Sequence, residues 1–257
     1  MYKHRIVRLL WGAALAVFLF LLSGFGYSES AHMRLAVIFG GYMSFEDFSV
    51  IQALMFCLPF VTQLALLGDM FCDDFDTANI YLFTRGKSKR RWLASKAGAV
   101  AALSMLYYLT LFAATLCCSA VFGYSFDAAA VSLTIFELLI TLAQTNTLIV
   151  LLAGLLSIKH SQPVVYTSLI MAYSSWIVLL PLVRGFGLLL RIVPMTHSMM
   201  LAHELPVMFH ELQERIGITL GIPIPLTVIG LFIGGVALLG ISIMWIQKAD
   251  IMKGNTI

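Results

Sequence analysis

The chain has 257 residues, of which 60% are hydrophobic and 11% charged, with a net charge of +3. Soluble domains carry about 25% charged residues. A mean hydropathy of +0.94 over the whole length excludes a soluble globular core and points to an all-α, multi-pass membrane protein. So small a positive balance carries no signal for nucleic acid, and where the charges sit matters more.

MYKHRIVR is a basic leader, and the apolar run that follows it reads as the first membrane span (6–24). That run is long for a signal peptide, and no A-x-A cleavage site follows it. Phe25 to Ser49 reads as a mixed loop with Glu29, Arg34, Glu46 and Asp47, its apolar middle LAVIFGG expected on the membrane surface. Val50 to Met70 is the second span, with Pro59 expected to kink it. The third, fourth and fifth spans are read at 97–122, 128–156 and 163–183, the last opened by Pro163. Gly185 to Gly221 is a long, half-apolar outer segment, 222–246 the sixth span, and the remainder a polar tail.

The bases set the orientation. With both ends in the cytoplasm, Arg34, Arg184, Arg191 and Arg215 are the four outer bases against twelve inner ones. Each base beside an anionic inner leaflet is worth about 1 kcal/mol, so this bias fixes a six-span, both-ends-inside topology. Cys57, Cys117 and Cys118 lie in apolar runs and Cys72 on the inner side, so no disulfide framework is implied.

The stretch from Phe71 to Lys96 is the most strongly charged, and it splits by sign. Asp73, Asp74 and Asp76 come first; Arg85, Lys87, Lys89, Arg90, Arg91 and Lys96 follow. Phe71, Phe75, Ala78 and Leu82 recur at helical spacing and form one apolar stripe. Acids first and bases last suit the helix dipole. Gly86 is a natural stop, and Ser88 can cap a second helix beginning SKRRWL. A lipid anchor accounts for the bases but not for the aspartates and the stripe, whereas a cytoplasmic protein partner accounts for all three. Phe75, Tyr81, Leu82, Phe83, Thr84, Arg85 and Ser88 are the residues expected to dock it.

TRGKSKRRWLASK, Thr84 to Lys96, resembles the segment after the second span of ABC-2-type permeases, the membrane subunits of ATP-driven exporters. Thr77, Thr84, Ser88-Lys89, Trp92 and Lys96 stand at the family's motif positions; Gly86 replaces its proline, and Asp76-Thr77 stands where Gly-Thr would be. Arg191-Ile-Val-Pro194-Met-Thr196 is similar to the family's outer Asn-Pro-Leu-Thr segment. The resemblance implies a type V exporter-like fold with short re-entrant helices before the sixth span, set in a bacterial plasma membrane. It implies a coupling helix at 71–96 resting on a separate ABC ATPase present in two copies. A second permease subunit, identical or different, would complete the pathway. The eight-residue leader is too short for the amphipathic helix that opens many members. The sequence contains no G-x-x-x-x-G-K-[ST] loop, so no cofactor is expected on this chain and ATP-Mg belongs to the partner.

Glu137 is the one carboxylate deep in an apolar run, and Thr134, Glu137, Thr141 and Gln144 follow at spacings of three and four. An acid at mid-membrane costs about 2.5–3.5 kcal/mol, so it is expected to face protein or water. Two readings stay open: a group lining the pathway or subunit interface, or a protonated acid hydrogen-bonded between helices. His197, His203 and His210 have no metal-site spacing and read as surface histidines. Gly230-x-x-x-Gly234 permits close helix packing. Neither G-x-S-x-G nor H-E-x-x-H occurs, so no enzyme activity, catalytic residue or metal is expected. The functional expectation is a permease exporting a peptide or amphipathic compound. The alternative is a non-transporting sensor or immunity protein that binds a ligand through its outer loops.

Overall fold

The computed structural model describes residues 10–23, 30–41, 50–71, 89–179, 191–206, 209 and 221–248. All regular structure among them is helical. The helices are α1 (Leu10–Leu22), α2 (Ala31–Phe39), α3 (Val50–Leu67), α4 (Lys89–Val121), α5 (Ala128–Leu156), α6 (Gln162–Leu179), the single turn α7 (Pro194–His197) and α8 (Ile224–Lys248). A 3₁₀ turn, Gly68–Met70, extends α3, and α5 contains a π-helical turn, Leu139–Ala143. Among the described residues four stretches, Ile51–Met70, Arg90–Val121, Ala128–Leu156 and Ile224–Met244, are long and apolar enough to cross a membrane.

Local chemistry accounts for several of the boundaries. The Asp127 carboxylate accepts hydrogen bonds from the amides of Ala129 and Ala130, capping α5. Pro163 opens α6 and Pro194 opens α7, each where a missing N–H costs nothing. α4 begins at Lys89, where SKRRWL reads as opening a helix after Ser88, and runs on without a break, so Arg90, Arg91 and Lys96 belong to its first turns. With 33 residues it is about 50 Å long, well beyond a ~30 Å hydrocarbon layer.

One apolar cluster runs through the bundle, with Phe20, Phe60, Tyr107, Phe112 and Tyr173 at its centre. α1 lies close along α4 because Gly12 has no side chain; a Cβ there would come within 3.1 Å of the Tyr107 ring. At one end of the bundle, Phe71 meets Trp92 edge-on at 6.0 Å and lies over Gly154 of α5, where a Cβ would collide with it. Tyr166 of α6 comes down on Gly68 in the same way. At the other end, Ala31 donates its amide to the Ser125 carbonyl at 3.0 Å, tying the start of α2 to the turn before α5.

The segment expected to lie on the membrane surface is instead inside the protein. α2 buries Ala31, Arg34, Leu35, Ala36, Val37, Ile38 and Phe39. A nine-residue helix cannot span, but six apolar side chains repay burial whichever way they face. Arg34 comes inside with them, its guanidinium 5.0 Å from the Phe20 ring centre and 5.5 Å from that of Tyr124. Such cation–π contacts are each worth about 0.5–2 kcal/mol and offset part of the desolvation. Gly41 ends the segment with φ +80, where a side chain would be strained and would also meet Met199.

Much of the outward surface of α8 and α1 is also apolar. α8 exposes Leu226, Ile229, Phe232, Ile233, Val236, Ile241 and Met244, and α1 exposes Trp11, Phe18 and Leu21. Water does not tolerate so much contiguous apolar surface, which is consistent with a membrane protein.

Candidate functional site

Pro59 sits within α3, and its carbonyl accepts from the Tyr107 hydroxyl of α4 at 3.0 Å. One turn further along α3, Gln63 begins a polar chain through the apolar core. Its Nε2 donates to Ser104 Oγ at 2.9 Å, and its Oε1 accepts from the Tyr108 hydroxyl at 3.0 Å. That hydroxyl in turn accepts from Asn146 Nδ2 of α5 at 2.7 Å. Gln63, Ser104, Tyr108 and Asn146 are all fully buried, so α3, α4 and α5 are joined where water does not compete.

A second polar seam joins α6 to the segment 191–206. The Tyr173 hydroxyl lies 3.1 Å from Ser198 Oγ, and Trp176 Nε1 donates to Thr196 Oγ1 at 3.0 Å. The Tyr173 ring stacks on Phe60 at 4.3 Å, bringing the second seam beside α3. Thr196, Ser198, Met199 and Met200 are buried, so this segment turns back into the bundle and does not cross its outer surface.

On α5 the expected polar stripe is present in part. Thr134, Glu137 and Thr141 are buried, and the two hydroxyls bond back to the carbonyls of Ala130 and Glu137. Neither hydroxyl is therefore spent on the Glu137 carboxyl. Glu137 faces protein, 3% exposed, but its Oε2 has no hydrogen-bond partner among the described residues. The same holds for Thr145 Oγ1 and Asn146 Oδ1, which lie on the other side of the π turn. Gln144, placed on the stripe by spacing, is half-buried, and Thr145 and Asn146 take the interior positions. The extra residue of the π turn moves the buried face along by one position.

The docking residues Phe75, Tyr81, Leu82, Phe83, Thr84, Arg85 and Ser88 lie outside the described residues. The flanks of their segment are described, and Phe71 and Trp92 fasten both to the bundle beside Gly154.

Two histidines depart from the surface reading. His203 is fully buried and His197 half-buried. Burial pushes the His203 imidazole down to about 4, and the adjacent His197 adds to the shift. His210 lies outside the described residues. Sequence spacing pointed to none of these groups except the α5 stripe. Gln63 and Asn146, amides set in apolar runs, were the visible signal for the polar chain. Among the described residues no cluster of three or more His, Cys, Asp or Glu side chains could hold a metal ion. Comparison of the chain with family models, characterised proteins and solved structures finds no match.

Proposed function

We propose that the chain is the membrane subunit of an ATP-driven exporter resembling the ABC-2 type, moving a peptide or other amphipathic compound. In this reading it has six spans and both ends in the cytoplasm of a bacterial cell. It pairs with a second permease subunit and rests on two copies of a separate ATPase that holds the ATP-Mg. The observation that carries the reading is the trio of orphaned polar atoms on α5: Glu137 Oε2, Thr145 Oγ1 and Asn146 Oδ1. Buried polar atoms are normally satisfied, and those left without a protein partner are met by water or a ligand. In a bundle this apolar, they favour a wettable path at α5 over a solid core.

The same helix offers a route for coupling. Phe71, which opens the charged stretch and is the last described residue before 72–88, packs on Gly154, and Trp92, near the start of α4, packs on Phe71. A push on 72–88 from a closing ATPase pair would reach α5 through that contact. From Gly154 back to Glu137 is about 25 Å along the helix. Between them lies the π turn, a helical form that can change register. The test is purification from native membranes in mild detergent. A protein with a phosphate-binding loop should accompany the chain, with its ATP hydrolysis altered by the chain's presence; a chain that purifies alone contradicts the reading.

A further inference from the structure

The hydrogens around the pair of His197 and His203 can be counted. Backbone carbonyls only accept, and His203 Nδ1 lies 2.9 Å from the Met199 carbonyl, so that nitrogen carries a hydrogen. His197 Nε2 lies 2.9 Å from the Arg191 carbonyl and carries one for the same reason. The other two ring nitrogens, His203 Nε2 and His197 Nδ1, each face Thr227 Oγ1 at 2.9 Å. A threonine hydroxyl has a single hydrogen to give. With both rings neutral, one nitrogen must point its lone pair at an oxygen lone pair. One added proton removes the conflict. An imidazolium on one side donates to Thr227 Oγ1, whose own hydrogen goes to the neutral ring on the other.

We propose that His197, Thr227 and His203 form a binding site for a single proton, held on His197, whose imidazolium is hydrogen-bonded through Thr227 to a neutral His203. Exposure chooses the ring: His197 is half-buried, whereas His203 is fully buried and would bear the whole desolvation cost of a charge. A second proton is opposed because the ring centres are only 6.0 Å apart. The charged and titratable neighbours among the described residues leave the count unchanged. On the pair's own segment these are Arg191 and Glu204, both exposed. α6 contributes the neutral Trp176 and Tyr173. α2 brings His32 and Arg34, and α5 brings Glu137, while each of the pair's four ring nitrogens already faces one of the oxygens named above. The only charged residue of α8 is Lys248, at its far end.

The site joins two elements, since both rings belong to 191–206 and Thr227 lies in the first turn of α8. With the proton bound, every hydrogen bond across that seam is made; without it, one becomes a repulsion.

The experiment is nitrogen NMR of isotope-labelled histidine in the full chain in lipid nanodiscs. His4, His32, His160 and His210 are replaced by glutamine so that only the two rings report. Between pH ~8 and ~5 the pair should take up one proton, on His197. His203 should stay neutral with its hydrogen on Nδ1, the minor form of free histidine. Thr227→Val should lower the proton affinity of His197 about tenfold, the worth of one hydrogen bond to a charged group. Thr227→Ser should restore it. Proton uptake by His203, two rings still neutral at pH ~5, or a Thr227→Val titration like that of the parent chain overturns the proposal. Should Thr227→Val not fold, the tautomers and proton count of the parent chain decide the matter alone.

Discussion

Tyr108 links two of the helices joined by the buried polar chain, because its hydroxyl both donates to Gln63 of α3 and accepts from Asn146 of α5. Tyr108→Phe would leave two buried amide groups short of a partner, at about 1–3 kcal/mol for each group abandoned. Tyr107→Phe removes one bond to a carbonyl and is expected to cost only about 0.5–1.5 kcal/mol. Thermal unfolding of the two variants in detergent should rank them in that order, and equal midpoints would contradict the network. At Glu137 the carboxyl oxygen Oε2 bonds to no neighbour among the described residues, so it supplies little adhesion between their helices. Glu137→Gln is therefore expected to leave assembly and thermal stability near those of the parent while transport falls. Loss of the assembled complex would reject the pathway role and favour packing. How far single residues could be read from the sequence varied with how much of the chain each needed. Glu137 stood out because a carboxylate in an apolar run is costly wherever it goes. His203 did not, because its burial depends on Thr227, 24 residues away.

At the scale of elements, hydropathy was enough to place the long helices, since one period and one composition serve a whole span. It failed at α2, where nine residues and an arginine look like a surface loop until Phe20 and Tyr124 are known to flank Arg34. It failed again at the π turn, which no spacing rule signals and which exchanged Gln144 for Thr145 on the buried face. The helix read as beginning SKRRWL after Ser88 is continuous with the stretch read as the third span, so that α4 runs unbroken from Lys89. The contact of α5 with the charged segment makes its own prediction. Gly154→Ala drives a methyl group into the Phe71 ring, and overpacking of this kind costs about 1–3 kcal/mol. In a Phe71→Leu background the same change should cost markedly less. If the two effects simply add, Phe71 and Gly154 are not coupled.

For the molecule as a whole, the proposed orientation places Ser125 outside and Ser161 inside, and both are exposed. In a chain stripped of its own cysteines, Ser125→Cys should react with an impermeant thiol reagent in intact cells. Ser161→Cys should react only after the cells are opened, and the reverse pattern would overturn the both-ends-inside arrangement.

The central claim is that 72–88 docks an ATPase, with Tyr81, Leu82 and Phe83 as the anchors. Losing one buried anchor can cost over ~2 kcal/mol of binding, about thirtyfold in affinity. Lys89 and Arg90, which the proposed orientation sets against anionic lipid, should each matter by about 1 kcal/mol and in a salt-sensitive way. The most direct measurement is ATPase retention on the purified chain, comparing alanines at Tyr81, Leu82 and Phe83 with alanines at Lys89 and Arg90. The first variant is expected to insert normally and lose the ATPase, and the second to keep most of it. A triple-alanine chain that inserts and retains its ATPase at the parent level contradicts the docking claim.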